Sequence, residues 1–168
     1  MVTSEHPHKA LIRRFYAAFA ARDPDTMAQC YHPVVTFSDP AFPMLRGEEA
    51  SDMWRMLISR GKDLQLELLA VDADDHGGTA TWQATYTFSQ TGRPVVNRID
   101  AMFGFRDGLI VRHVDRFPFW RWSRQALGPI GLLLGWSWLL KGLVRKKAAA
   151  SLHQWRAKHV TAQATTPD

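Results

Sequence analysis

Two carboxylates, one imidazole and one amide fall on the apolar faces of strand-like segments in this sequence. Asp39 follows Val35 and Phe37 at two-residue spacing, and His113 and Asp115 lie between Val111 and Phe117 at the same spacing. Asn97 heads the series Ile99, Ala101, Phe103 and Phe105. Alternate side chains share one face of a strand, so all four polar groups are expected to point inward. Burying them is costly unless they are paired or put to use. Asp39 reads in two ways. It suits a general base whose pKa is raised by apolar surroundings, or a cap for the Pro40–Pro43 loop that accepts backbone hydrogen bonds. His113 and Asp115 form either a His–carboxylate pair for acid–base work or a satisfied pair at the sheet edge, with Asp115 bonded to an arginine of the tail. Tyr16, Trp54, Trp82, Tyr86, Asn97 and Phe103 are the candidates for contact with a ligand; the aromatic ones equally suit a packed core.

Positioning these groups requires helices first and strands after. Leu11, Ile12, Phe15 and Phe19 recur at helical spacing and predict a helix over 8–22. Asp23 and Pro24 suit the N-cap and first turn of a second, short helix through Met27, Cys30 and Tyr31, ended by Pro33. Val34–Asp39 reads as a strand. A third helix follows Arg46-Gly47 and passes Trp54, Leu57 and Ile58 to stop near Gly61. Beyond it the period changes to two. Strands are expected over 64–71, 79–89, 95–106 and 109–117, with Asp107-Gly108 as the clearest hairpin turn. Together these predict an α+β fold with a four-stranded antiparallel meander under helices.

Composition limits the function classes. The chain has 168 residues, 46% of them hydrophobic and 22% charged, which suits one well-buried domain. One cysteine, Cys30, excludes an intrachain disulfide, and neither it nor the seven histidines has metal-ligand spacing. No metal or organic cofactor is expected. The N-terminus shows no secretory pattern, so a cytoplasmic location is expected. The net charge of +5 is unevenly spread: residues 1–115 hold 12 basic and 15 acidic side chains, residues 116–168 nine and one. A protein basic only in its tail is not expected to bind nucleic acid.

That tail is a segment of its own kind. It carries five of the seven tryptophans, Trp120, Trp122, Trp136, Trp138 and Trp155, and an apolar run from Leu127 to Val144 interrupted by glycines. The uncharged run is too short to span a bilayer. Gly128, Gly131 and Gly135 lack the Lys-Ser/Thr of a phosphate loop. Three roles remain open: packing over the pocket or sheet, a dimer interface, or peripheral contact with an anionic membrane. The expected organisation is a domain over 8–118, a Trp-rich basic helical extension over 119–159 and an unstructured end over 160–168.

Several segments resemble the nuclear transport factor 2-like superfamily, in particular the SnoaL-like polyketide cyclases and ketosteroid isomerases. They are Phe15-Tyr16-Ala17-Ala18-Phe19 with Arg22-Asp23-Pro24-Asp25, then Tyr31-His32-Pro33 and Thr36-Phe37-Ser38-Asp39-Pro40. Arg46-Gly47-Glu48-Glu49, Phe103-Gly104-Phe105-Arg106-Asp107-Gly108 and His113-Val114-Asp115 complete the set. The resemblance implies a cone-shaped curved sheet closed by three N-terminal helices around a hydrophobic pocket; a homodimer is expected. It matches Asp39 to the base of a ketosteroid isomerase, whose oxyanion hole is a Tyr and a protonated Asp. Here the tyrosine position holds Phe15, beside Tyr16. The second acid falls on Asp100 or Ala101 according to the motif matched, with Ala101 inward by parity. The expected function is binding of an apolar, carbonyl-bearing small molecule of polyketide or steroid-like type. Asp39 or the His113/Asp115 pair would act as base in an isomerisation or cyclisation; a non-catalytic ligand-binding or dimeric assembly module is the alternative.

Overall fold

A computed structural model describes residues 5–163. Helix α1 (Pro7–Ala20) opens it, with Pro7 in its first turn. Helix α2 (Pro24–Gln29) starts as the sequence predicts, Asp23 accepting from the Thr26 amide at 3.0 Å. It ends two residues early, however, because Tyr31 already begins strand β1 (Tyr31–Ser38). Pro33 does not stop a helix; it lies in the irregular stretch of β1 between the Tyr31 and Thr36 pairings, where a missing N–H breaks no ladder bond.

After the two-residue strand β2 (Leu45–Arg46), helix α3 (Glu48–Arg60) carries Glu48 and Glu49 in its first turn and Arg60 in its last, both favoured by the helix dipole. Its last carbonyls are met from outside. Arg22 bonds to the carbonyls of Ile58 and Gly61 at 2.6 and 2.8 Å, tying the α1–α2 turn to the end of α3.

Strands β3 (Gln65–Ala73), β4 (Gly78–Phe88), β5 (Arg93–Arg106) and β6 (Leu109–Arg116) form the expected antiparallel meander. The β5–β6 turn places both Asp107 and Gly108 at positive φ, as a two-residue hairpin with right-handed strand twist requires. Strand β6 then pairs in parallel with β1, giving a six-stranded order β2-β1-β6-β5-β4-β3 in a curved, unclosed sheet. Along β4 and β5 the parity holds: Trp82 and Ala84 are buried, as are Asn97, Ile99, Ala101 and Phe103, while Asp100 faces out to bond Thr81.

Parity fails at one place in β6. Counting back from His113 puts Val111 inward, yet Ile110 is the fully buried residue and Val111 is half-buried. A bulge explains it: Phe105 pairs with Ile110 and Gly104 with Arg112, so Val111 is an extra residue that bends the strand.

The extension folds back onto this core. Helix α4 (Phe119–Leu127) packs on β5, and Gln125 bonds both the amide and carbonyl of Val96, at 2.9 and 3.1 Å. Pairing of β6 with β5 begins only at Asp100, so Gln125 supplies what a neighbouring strand would have given Val96. Helix α5 (Pro129–Leu134) lies so close to α4 that a Cβ on Gly131 would overlap the Ser123 carbonyl. The glycines of this run are therefore contact surfaces between helices. Gly131→Ala should push α5 off α4 at a cost of about 1–3 kcal/mol, read as a lower unfolding midpoint and altered near-ultraviolet dichroism of Trp120 and Trp122. An unchanged spectrum would contradict this packing. Helix α6 (Trp138–Gln163) crosses to α3, buries Leu152 in the main core and pairs Arg156 with Asp52 at 2.9 Å. The end expected to be unstructured is helical as far as Gln163; residues 164–168 lie outside the described residues.

Candidate active site

Strand β1 ends one residue before Asp39, and its parallel pairing with β6 sets the level of the site. Phe37 pairs with His113 and Ser38 with Val114. Asp39 and Asp115 follow next along the two chains, near enough for the Asp115 charge to act on Asp39. Both line a cavity of about 650 Å³ whose wall is mostly apolar and includes Phe19, Trp54, Trp82, Ile99 and Phe117.

Asp39 serves its own loop and the cavity wall at once. Its Oδ1 accepts from the Ala41 and Phe42 amides and so caps the loop, yet the carboxyl also faces the cavity. Burial pushes its pKa from the ordinary 3.8 up to about 7. The Phe42 amide opposes this, the Asp115 carboxylate adds to the rise, and the Ala41 amide and Arg145 pull back without prevailing. Arg145 belongs to α6 and is held there by the Pro40 carbonyl at 3.0 Å.

Asp115 is fixed by a buried chain of hydrogen bonds. Trp54 Nε1, a donor only, gives its hydrogen to the Tyr31 hydroxyl at 2.9 Å. That hydroxyl is 2.7 Å from His113 Nδ1, and His113 Nε2 is 2.9 Å from Asp115 Oδ1. Only one arrangement satisfies every member with a neutral imidazole: Tyr31 donates to Nδ1, and the Nε2–H donates to Asp115. His113 is 0% exposed, with Phe15, Phe37, Trp54 and Phe103 packed around its ring, so it meets no ligand directly. The tail arginine expected to bond Asp115 is not its partner; histidine is.

Of the residues expected to contact a ligand, Trp54, Trp82, Tyr86 and Asn97 line the cavity. Tyr16 and Phe103 pack against each other in the layer behind. The Tyr16 hydroxyl is buried without a hydrogen-bond partner, and so is the indole N–H of Trp82. Phe15 and Ala101, where the resemblance puts the oxyanion donors, are both buried and bring no polar group. Three site residues escaped the sequence reading. Tyr31 was placed on a helix, although it continues the two-residue spacing of Val35, Phe37 and Asp39. Trp122 donates from α4 to the Tyr86 hydroxyl at 2.8 Å, and Arg145 reaches the Asp39 loop from 105 residues away. Nothing local in the sequence announces either contact. Among the described residues no group of His, Cys, Asp and Glu could hold a metal ion.

The sequence profile of the SnoaL-like domain matches residues 12–113. The chain belongs to the SnoaL-like domain family. Through it, the protein joins the nuclear transport factor 2-like superfamily. Comparison with curated protein sequences gave no match. Solved structures extend the likeness of the SnoaL-like fold. An LEH-like epoxide hydrolase from M. tuberculosis superposes with a TM-score of 0.61 at 17% identity, over 76% of this chain and 96% of that one. A candidate polyketide cyclase from Xanthomonas campestris gives 0.59 at 21%, over 71% and 96%. A protein of ketosteroid isomerase-like fold from Catenulispora acidiphila, in complex with trimethylamine, gives 0.62 at 13%, over 71% and 93%. At these identities the likeness is one of fold; in this SnoaL-like chain the C-terminal extension lines part of the cavity.

Proposed function

We propose that the protein binds an apolar, carbonyl-bearing ring compound in this cavity and moves a proton on the carbon beside the carbonyl. The observation that carries the reading is the pair of carboxylates at the cavity wall, Asp39 with a pKa of about 7 and Asp115 anchored by His113. A group that is half protonated near neutral pH takes and returns protons most effectively there. Asp39 removes the proton as a carboxylate and gives it back as an acid, while Asp115, held by the Tyr31–His113 chain, stays in place as the neighbouring charge.

A polyketide or steroid-like ligand agrees with the apolar lining, and with the cyclase and isomerase-like proteins among the structural relatives. The non-catalytic carrier remains the second reading, favoured by Phe15 and Ala101, which leave the isomerase oxyanion pair unfilled. Deuterium exchange at the carbon beside the carbonyl of 2-tetralone, followed by nuclear magnetic resonance, separates them. Exchange that rises with pH through about 7 and disappears in Asp39→Asn supports the proton-transfer reading. Binding of the ketone without catalysed exchange supports the carrier.

A further inference from the structure

The outer face of α5 and the start of α6 takes no part in the cavity chemistry, and its composition is unusual. Ile130, Leu132, Leu133 and Leu134 of α5, Trp136 after it, and Trp138, Leu139 and Leu143 of α6 are all about half exposed or more. Leu133 is 69% exposed, Trp136 77% and Trp138 80%. Single exposed apolar residues need no explanation; a run of this density marks a contact surface. The fold holds it outward, because Gly131 and Gly135 turn the smooth side of α5 onto α4 and leave the leucines facing away.

The second observation is charge. From Arg116 to Gln163 there are nine Lys and Arg and no Asp or Glu. Arg121, Arg124, Lys146 and Lys147 are exposed on the helices that carry or flank the apolar run, and Lys141 is half-buried within it.

We infer that this face docks on an anionic lipid surface. Trp136, Trp138 and the α5 leucines enter the boundary between headgroups and acyl chains, and the basic residues meet lipid phosphates. Indole suits that boundary, having an apolar ring and one polar N–H. An apolar face bordered by Lys and Arg is the pattern of a helix lying in the interface plane. It lies on the membrane and does not cross it: among the described residues no helix is long and apolar enough to span. A second copy of the chain fits less well. A two-fold interface would set this basic surface against itself, with no acidic residue from 116 to 163 to offset the repulsion.

The docking face is continuous with the cavity rim, since Ile130 and Leu143 belong to both. If the cavity holds an apolar ligand, as proposed above, that ligand passes between bilayer and cavity without crossing water.

The test is co-sedimentation of the full chain with vesicles of phosphatidylcholine, with and without phosphatidylglycerol, at low and high salt. Strong binding to the anionic vesicles only, weakened by salt, is the expected result. Lys146→Gln/Lys147→Gln should bind about 25-fold more weakly, at about 1 kcal/mol for each charge near an anionic surface. Trp136→Ser/Trp138→Ser should lose roughly tenfold or more, with no cost to the fold from side chains so exposed. Sedimentation velocity without lipid accompanies both variants. No binding, or equal binding to neutral and anionic vesicles, overturns the inference. So does a lipid-indifferent dimer that the tryptophan variant converts to monomer. The assay does not involve Asp39, so loss of vesicle binding leaves the proton-transfer reading intact, and silence of Asp39 leaves the docking reading intact.

Discussion

Asp39→Asn is expected to lose proton exchange by about 10²–10⁴-fold, the usual contribution of a positioned general base, while becoming more stable than the parent protein above pH 7. The two effects have one origin. Burial, joined by the Asp115 carboxylate, lifts the folded-state pKa of Asp39 from 3.8 to about 7. Between those values the unfolded chain has released the proton and the folded chain keeps it. Folded protein then binds more protons than unfolded, so stability falls as pH rises through this window. Below about pH 4 both states are protonated and the burden is absent; above about pH 7 it is complete and constant. Asparagine carries no such charge, and its side-chain oxygen can still accept from the Ala41 and Phe42 amides. The variant should therefore gain about 2–4 kcal/mol over the parent at about pH 8 and little at about pH 4, from 1.36 kcal/mol per pKa unit reduced for solvent reaching the cavity. Urea unfolding at the two pH values measures this. A stability difference that does not change with pH would place the carboxyl outside the apolar environment described for it.

His113→Phe should be the most damaging substitution in the site, at roughly 3–5 kcal/mol, the usual cost of removing one partner from a buried charge. The ring volume is kept, so packing against Phe15, Phe37, Trp54 and Phe103 changes little. What is lost is the acceptor for the buried Tyr31 and the donor for the buried Asp115. A paired replacement, His113→Phe with Asp115→Leu, removes the stranded carboxylate as well and should recover a substantial part of the loss. If the single and double variants unfold at the same urea concentration, the hydrogen bond between the two residues is not what holds them.

Much of this site is legible in the sequence because a strand has a strict period. Asp39, Asn97 and Asp115 declare themselves by standing where an apolar residue is expected, and the Asp107-Gly108 turn fixes the hairpin that brings His113 opposite Phe103. Where the period is interrupted, the reading fails. Val111 is an extra residue whose effect appears only once β5 and β6 are paired, and the proline at position 33 hides the fact that Tyr31 already belongs to the strand. The extension is the hardest part to foresee. Trp122, Arg145 and Arg156 find partners on Tyr86, Pro40 and Asp52, far away in the chain. The pattern of a helix says which face is apolar, not what covers it.

The share that α4, α5 and α6 take in the cavity wall carries one more consequence. Ile130 and Leu143 are lining on the inside and surface on the outside. Anything that fills the cavity and anything that covers the outer face thus act on the same pair of helices. If occupancy within favours one placement of those helices, a partner outside that prefers the same placement will bind more tightly by some factor. Thermodynamic reciprocity then requires the interior ligand to gain affinity by that same factor. Measuring either affinity with the other site filled would give the coupling energy of the pair.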